Sequence, residues 1–124
     1  MTRPRKLPKV LSRAEQAAML DQLDTRCLCP HRNRVLIRLM LATGLRAGEV
    51  VALRPEHLDI TAGRLVVREG KGAKDRQLWF GDDMAEALAG WSERRPSSAY
   101  MFPTRHGGQL STRYLRSMVK RVAR

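Results

Sequence analysis

The sequence predicts an α+β fold, mainly α, with a small three-stranded antiparallel sheet. Apolar residues recur at helical spacing before residue 54 and after residue 81, and the stretch between them switches to strand-like alternation. Glycines and prolines punctuate the changes of period. At 124 residues the chain makes one domain with a modest core.

Residues 1–11 hold Arg3, Arg5, Lys6 and Lys9, two prolines and no acid, and read as a basic arm or the remnant of a linker. Ser12-Arg13-Ala14-Glu15 is a capping box opening a helix that runs to about Leu23, with Ala14, Ala17, Ala18 and Leu23 as its apolar positions. After a connection over 24–31, a second helix spans about Arg32 to Thr43, with Val35, Leu36, Leu39 and Met40 on one face. Gly44 stops it, since glycine accepts the left-handed backbone of a helix C-cap. A short third helix from about Ala47 to Leu53 ends at Arg54-Pro55, because proline disfavours helix in the residue before it.

Asp59-Ile60, a Thr61-Ala62-Gly63 turn and the run Arg64 to Glu69 form a hairpin. A second turn, Gly70 to Lys74, leads into a strand from Asp75 to Phe80, completing the sheet with Lys71 in a loop at one end. Asp82 caps a helix reaching about Trp91. Tyr100-Met101-Phe102-Pro103 reads as a buried extended anchor. The last helix starts near Ser111, with Leu115, Met118, Val119 and Val122 on one face and Arg113, Arg116, Lys120, Arg121 and Arg124 elsewhere.

Composition narrows the class of partner. Twenty-four basic against 12 acidic residues give a formal charge of +12, the footprint of a polyanion binder such as nucleic acid, although a merely soluble basic protein has it too. From Arg105 onward there are six basic residues and no acid, whereas a solvated helix face normally mixes signs. Cys27 and Cys29 are too few for a disulfide scaffold, and with His31 they lack a fourth ligand at any zinc-site spacing, so no metal is expected. The N-terminus lacks the apolar segment of a signal peptide, and the run Val35 to Ala42 is too short to span a bilayer. The expected setting is cytoplasmic, in contact with the nucleoid and not with a membrane.

Two segments carry chemistry. Ala42-Thr43-Gly44-Leu45-Arg46-Ala47-Gly48-Glu49 places an arginine just past a helix-stopping glycine. A buried guanidinium there requires an anion: Glu49, close in sequence, or a phosphate. Gly70-Lys71-Gly72-Ala73-Lys74 holds two of the five lysines of an arginine-rich chain, and lysine, unlike arginine, can give up a proton when its pKa is lowered. Lys71 is also readable as a plain solvated turn lysine.

These segments resemble, in order, the signatures of the tyrosine recombinases (phage-integrase type). Lys6 to Glu15 is similar to the start of that family's catalytic domain, Leu39 to Leu53 to its first arginine box, and Lys71 to Arg76 to its lysine hairpin. Met101-Phe102-Pro103 and Gly107 to Arg113 are similar to the approach to its DNA-reading helix. The resemblance implies DNA breaking and rejoining through a phosphotyrosine link, with no cofactor or metal. It implies that Arg46 holds the scissile phosphate, supported by Glu49, and that Lys71 protonates the departing 5′-oxygen as general acid. Lys74 and Arg76 are then flanking phosphate contacts, and Arg113 and Arg116 reach a groove edge or the backbone. The implied partners are double-stranded DNA and further recombinase subunits.

The family's His-x-x-Arg box, a later His or Trp, and the nucleophilic tyrosine follow the point where these residues stop. His31-Arg32-Asn33-Arg34 matches the box by letter only, and neither Tyr100 nor Tyr114 matches the nucleophile. The expectation is therefore a truncated catalytic domain over 12–124 that binds DNA without cleaving it alone. Two alternatives stand beside it: a stand-alone DNA-binding regulator that competes with a full-length recombinase, and a non-functional gene remnant.

Overall fold

The computed structural model describes residues 12–68 and 75–122; the basic arm over 1–11 lies outside them. Among the described residues the chain forms α1 (Arg13–Asp21), α2 (Leu28–Thr43), α3 (Ala47–Ala52), a 3₁₀ turn (Pro55–His57), β1 (Leu58–Asp59), β2 (Arg64–Val67), β3 (Arg76–Trp79), α4 (Asp82–Arg94) and α5 (Thr112–Val122). The three strands make one antiparallel sheet in the order β1-β2-β3. The expected fold class is the one found.

The helix starts follow from local chemistry. Ser12 and Glu15 form the reciprocal capping box of α1, the Ser12 Oγ accepting from the Glu15 N–H at 3.0 Å and Glu15 Oε1 from the Ser12 N–H at 2.8 Å. The apolar face of α1 differs from expectation: Ala14, Ala17 and Ala18 are exposed, while Met19 and the following Leu23 are buried. Alanines bury little area, so the larger side chains set the helix orientation. The second helix begins at Leu28, four residues before the expected Arg32. Pro30 falls in its first turn, where the missing N–H would have had no helical partner anyway.

Helix α2 is the centre of the core: Leu36, Ile37 and Leu39 are fully buried, and it packs against α4 through Leu88 and Trp91. It ends at Gly44, whose φ of 78° is the left-handed C-cap, its N–H returning to the Met40 carbonyl. Helix α5 packs against α3 and buries Leu115, Met118, Val119 and Val122 as expected from their spacing. The extended anchor is also present: Met101, Phe102 and Pro103 are buried, the Met101 N–H donates to the Leu53 carbonyl at 2.8 Å, and the Trp91 indole N–H donates to the Met101 carbonyl at 2.8 Å.

The turn before β2 needs Gly63, at φ 74°, because a side chain there would stand 2.8 Å from the Phe80 carbonyl oxygen. In the sheet, Leu58 pairs with Leu65 and Val67 with Arg76. That second pairing sets where the β2–β3 connection leaves the sheet, and hence where the Lys71 loop is rooted. No helix among the described residues is long and apolar enough to cross a membrane.

Candidate nucleic-acid interface

Arg46 projects from the junction of α2 and α3. Its backbone is extended, with φ −82° and ψ 159°, so successive side chains point to opposite sides. Leu45 and Ala47 go inward, 1% and 3% exposed, and Arg46 goes out to solvent. The buried-guanidinium premise is thereby corrected: the flanking residues are buried and the arginine is not.

Glu49 does not neutralise it by direct pairing. Its Oε1 accepts the Arg46 backbone N–H at 2.9 Å, half of a capping box for α3. Both carboxylate oxygens are then taken by Arg76 of β3, Nη1 to Oε2 at 3.1 Å and Nη2 to Oε1 at 3.2 Å. Among the described residues no hydrogen bond or ion pair engages the Arg46 guanidinium. The one carboxylate adjacent in sequence is thus held by a cation 27 residues away.

Arg76 is accordingly an internal tie between the sheet and α3, with its side chain 40% exposed. The same tie brings the root of the β2–β3 connection to the start of α3, beside Arg46. A second ion pair, Arg68 Nη1 to Asp75 Oδ2 at 2.9 Å, closes the base of that connection. Lys71 and Lys74 lie between these residues, outside the described ones.

Burial pushes the Glu49 carboxyl up, but the Arg46 N–H, the Arg76 guanidinium and the nearby Arg46 charge outweigh it and hold it below its ordinary value of 4.5. A carboxyl depressed in the folded state contributes stability that is fully present above its unfolded pKa and is lost as pH falls through the lower folded value. Glu49→Gln keeps a cap acceptor and removes the charge. It is expected to cost about 1 kcal/mol at neutral pH, discounted for the half-open setting. The difference from the parent should begin to shrink as pH falls below 4.5 and vanish only once pH is below the lower folded value, as read by urea denaturation across pH.

Arg113 and Arg116 are exposed on α5, as are Lys120 and Arg121. No acid lies on this helix. The packing of α5 on α3 puts these residues on a helix in contact with the one that Arg46 precedes. The letter match at His31-x-x-Arg34 is spent on packing: the His31 ring stands edge-on to Trp91 at 5.3 Å, and Arg34 donates to the Leu20 carbonyl at 2.6 Å. Both cysteines are free thiols, and no group of three metal-ligating side chains occurs among the described residues.

Sequence reasoning overlooked Arg32, which is only 3% exposed. It binds Asn33 Oδ1 through Nε at 3.0 Å and Nη2 at 2.8 Å, the Pro103 carbonyl at 3.1 Å and the Tyr114 hydroxyl at 3.0 Å. It ties the start of α2 to the anchor and to α5. The available signal was its position one turn before Val35 and Leu36, on the buried face of α2.

A sequence profile described as the phage integrase family matches residues 9–124. Tyrosine recombinase XerC of Xanthomonas campestris pv. campestris is 38% identical over 122 residues, covering 97% of this chain and 37% of that protein. Tyrosine recombinase XerC of Pseudomonas entomophila is 38% identical over 120 residues, covering 94% and 40%. The chain thus spans well under half the length of the curated relatives it matches. Among solved structures, XerA recombinase superposes with a TM-score of 0.79 over 99% of this chain and 44% of its own, at 22% identity. XerH site-specific recombinase bound to its difH substrate, in a pre-cleavage complex, gives 0.72 over 94% and 36%, at 27% identity.

Proposed function

Because the chain belongs to the phage integrase family, we propose that residues 12–124 are the DNA-holding first part of a tyrosine-recombinase catalytic domain, acting in site-specific DNA breakage and rejoining. The observation that carries this reading is Arg46: exposed between two buried neighbours, with the adjacent carboxylate already occupied by Arg76. An exposed guanidinium with no direct hydrogen-bonded anion among the described residues suits a phosphate, which it grips through two N–H groups. Charge developing on the non-bridging oxygens during attack is stabilised there without rearrangement.

In this reading a tyrosine hydroxyl from the family's later segment attacks phosphorus, forming a phosphotyrosyl bond as the P–O5′ bond breaks. Lys71 gives its proton to the departing 5′-oxygen. Glu49 and Arg76 root the lysine hairpin beside Arg46, Lys74 meets a flanking phosphate, and Arg113 and Arg116 meet the duplex. Further recombinase subunits are the protein partners, and the site of action is the nucleoid. Structural neighbours are consistent with this: XerH recombinase is bound to a difH substrate, and a lambda integrase tetramer is bound to a Holliday junction.

Incubating the 124-residue chain with a nicked duplex that traps cleavage intermediates tests the reading. The expected result is a retarded duplex, weakened by salt, with no covalent protein–DNA adduct. Binding with a salt slope near zero would remove phosphate contacts from the account, and an adduct on Tyr100 or Tyr114 would contradict the division of labour.

A further inference from the structure

We infer that Tyr114 is a DNA contact: its hydroxyl donates a hydrogen bond to a phosphodiester oxygen beside α5. The inference rests on the reading of α5 as a DNA-facing helix and goes beyond its arginines.

Arg32 can only donate, and two of its nitrogens contact Asn33 Oδ1. That fixes the Asn33 amide with its oxygen toward Arg32 and its NH₂ toward Tyr114, which it reaches at 3.2 Å. Arg32 Nη2 reaches the same hydroxyl oxygen at 3.0 Å. A phenol oxygen receiving two donors has only its own proton left to offer, and among the described residues it donates to none. What this hydroxyl can still bind is an acceptor.

The surroundings select an anionic one. Arg32 is a buried cation whose partners are neutral, three oxygens and the Cys29 sulfur, and its guanidinium also lies under the Tyr114 ring at 5.4 Å. An uncompensated buried charge favours an anion within reach, and Tyr114, 37% exposed, is its outlet at the surface. Helical spacing puts Tyr114 on one ridge with Ser117 and Arg121, next to the ridge of Arg113, Arg116 and Lys120. The pair Arg32–Asn33 thus leaves the Tyr114 hydroxyl with one proton to donate, on a residue at the margin of a basic helix face.

Anisotropy titration of a fluorescent duplex, repeated over a salt series, tests this with Tyr114→Phe and Arg116→Ala. Tyr114→Phe keeps the ring over Arg32 and is expected to lose roughly tenfold in affinity at every salt, the worth of a hydrogen bond to a charged group. Its salt slope should be unchanged, because a neutral hydroxyl displaces no counterion. Arg116→Ala should flatten the slope by about 0.9. Parent-like binding by Tyr114→Phe overturns the inference alone. No binding by the parent overturns the reading beneath it as well. Should Tyr114→Phe fail to fold, the parent decides: with two tyrosines in the chain, the ¹³Cζ signal of Tyr114 should move on adding duplex while that of Tyr100 stays. A stationary Tyr114 signal overturns the contact.

Discussion

Replacing Arg113, Arg116, Lys120 and Arg121 together by glutamine is expected to weaken duplex binding by about a thousandfold at low salt and to flatten the salt slope by about 3.6. All four are exposed on α5, and none takes part in the core contacts of Leu115, Met118, Val119 and Val122. Glutamine is nearly as good a helix former as arginine or lysine, so the helix should keep its seat. Removing Lys120 and Arg121 from the last turn forfeits their attraction to the helix C-terminus, a few tenths of a kcal/mol. The melting temperature should therefore fall only slightly while affinity collapses. A folded variant with an undiminished slope would mean that the phosphates are met by another face of the molecule.

Trp91→Ala is expected to have the opposite profile: a large loss of stability, about 3–5 kcal/mol for the cavity alone. Trp91 is fully buried in the contact between α4 and α2, with the His31 ring against its edge. Its indole N–H also satisfies the Met101 carbonyl at 2.8 Å, and leaving that buried oxygen unpaired adds a further 1–3 kcal/mol or so. Domains of this size are stable by about 5–15 kcal/mol, so much of the margin disappears. Urea denaturation followed by far-UV circular dichroism measures it. Trp91→Phe should recover most of the packing but not the hydrogen bond. Because Met101 to Pro103 lead into α5, DNA affinity is expected to fall in Trp91→Ala through lost structure, without the flattened slope of the first variant.

Much of the architecture is legible locally because it is decided locally. The Ser12–Glu15 box, the Gly44 stop and the apolar face of α5 each depend on residues within two turns of one another. Pro30 shows where that reasoning stops: proline ends most helices but not in a first turn, and only the observed start at Leu28 tells which case applies. For the site, the sequence indicates Arg46 as an arginine set beside an acid. It does not indicate that Glu49 belongs to Arg76, since that pairing depends on folding that brings a strand residue 27 positions away to α3. Arg32 is hidden for a similar reason. Its acceptors come from its sequence neighbour, from Pro103 and from Tyr114, and the last two are brought to it only by folding.

Arg46 faces outward by virtue of parity. Three residues, Gly44 to Arg46, separate two helices; Arg46 is extended, and the inward positions on either side of it are filled by Leu45 and Ala47. Inserting or deleting a single residue between Gly44 and Ala47 would exchange inside for outside, sending a guanidinium toward the core and an apolar side chain into water. The stretch can therefore drift in composition far more freely than in length.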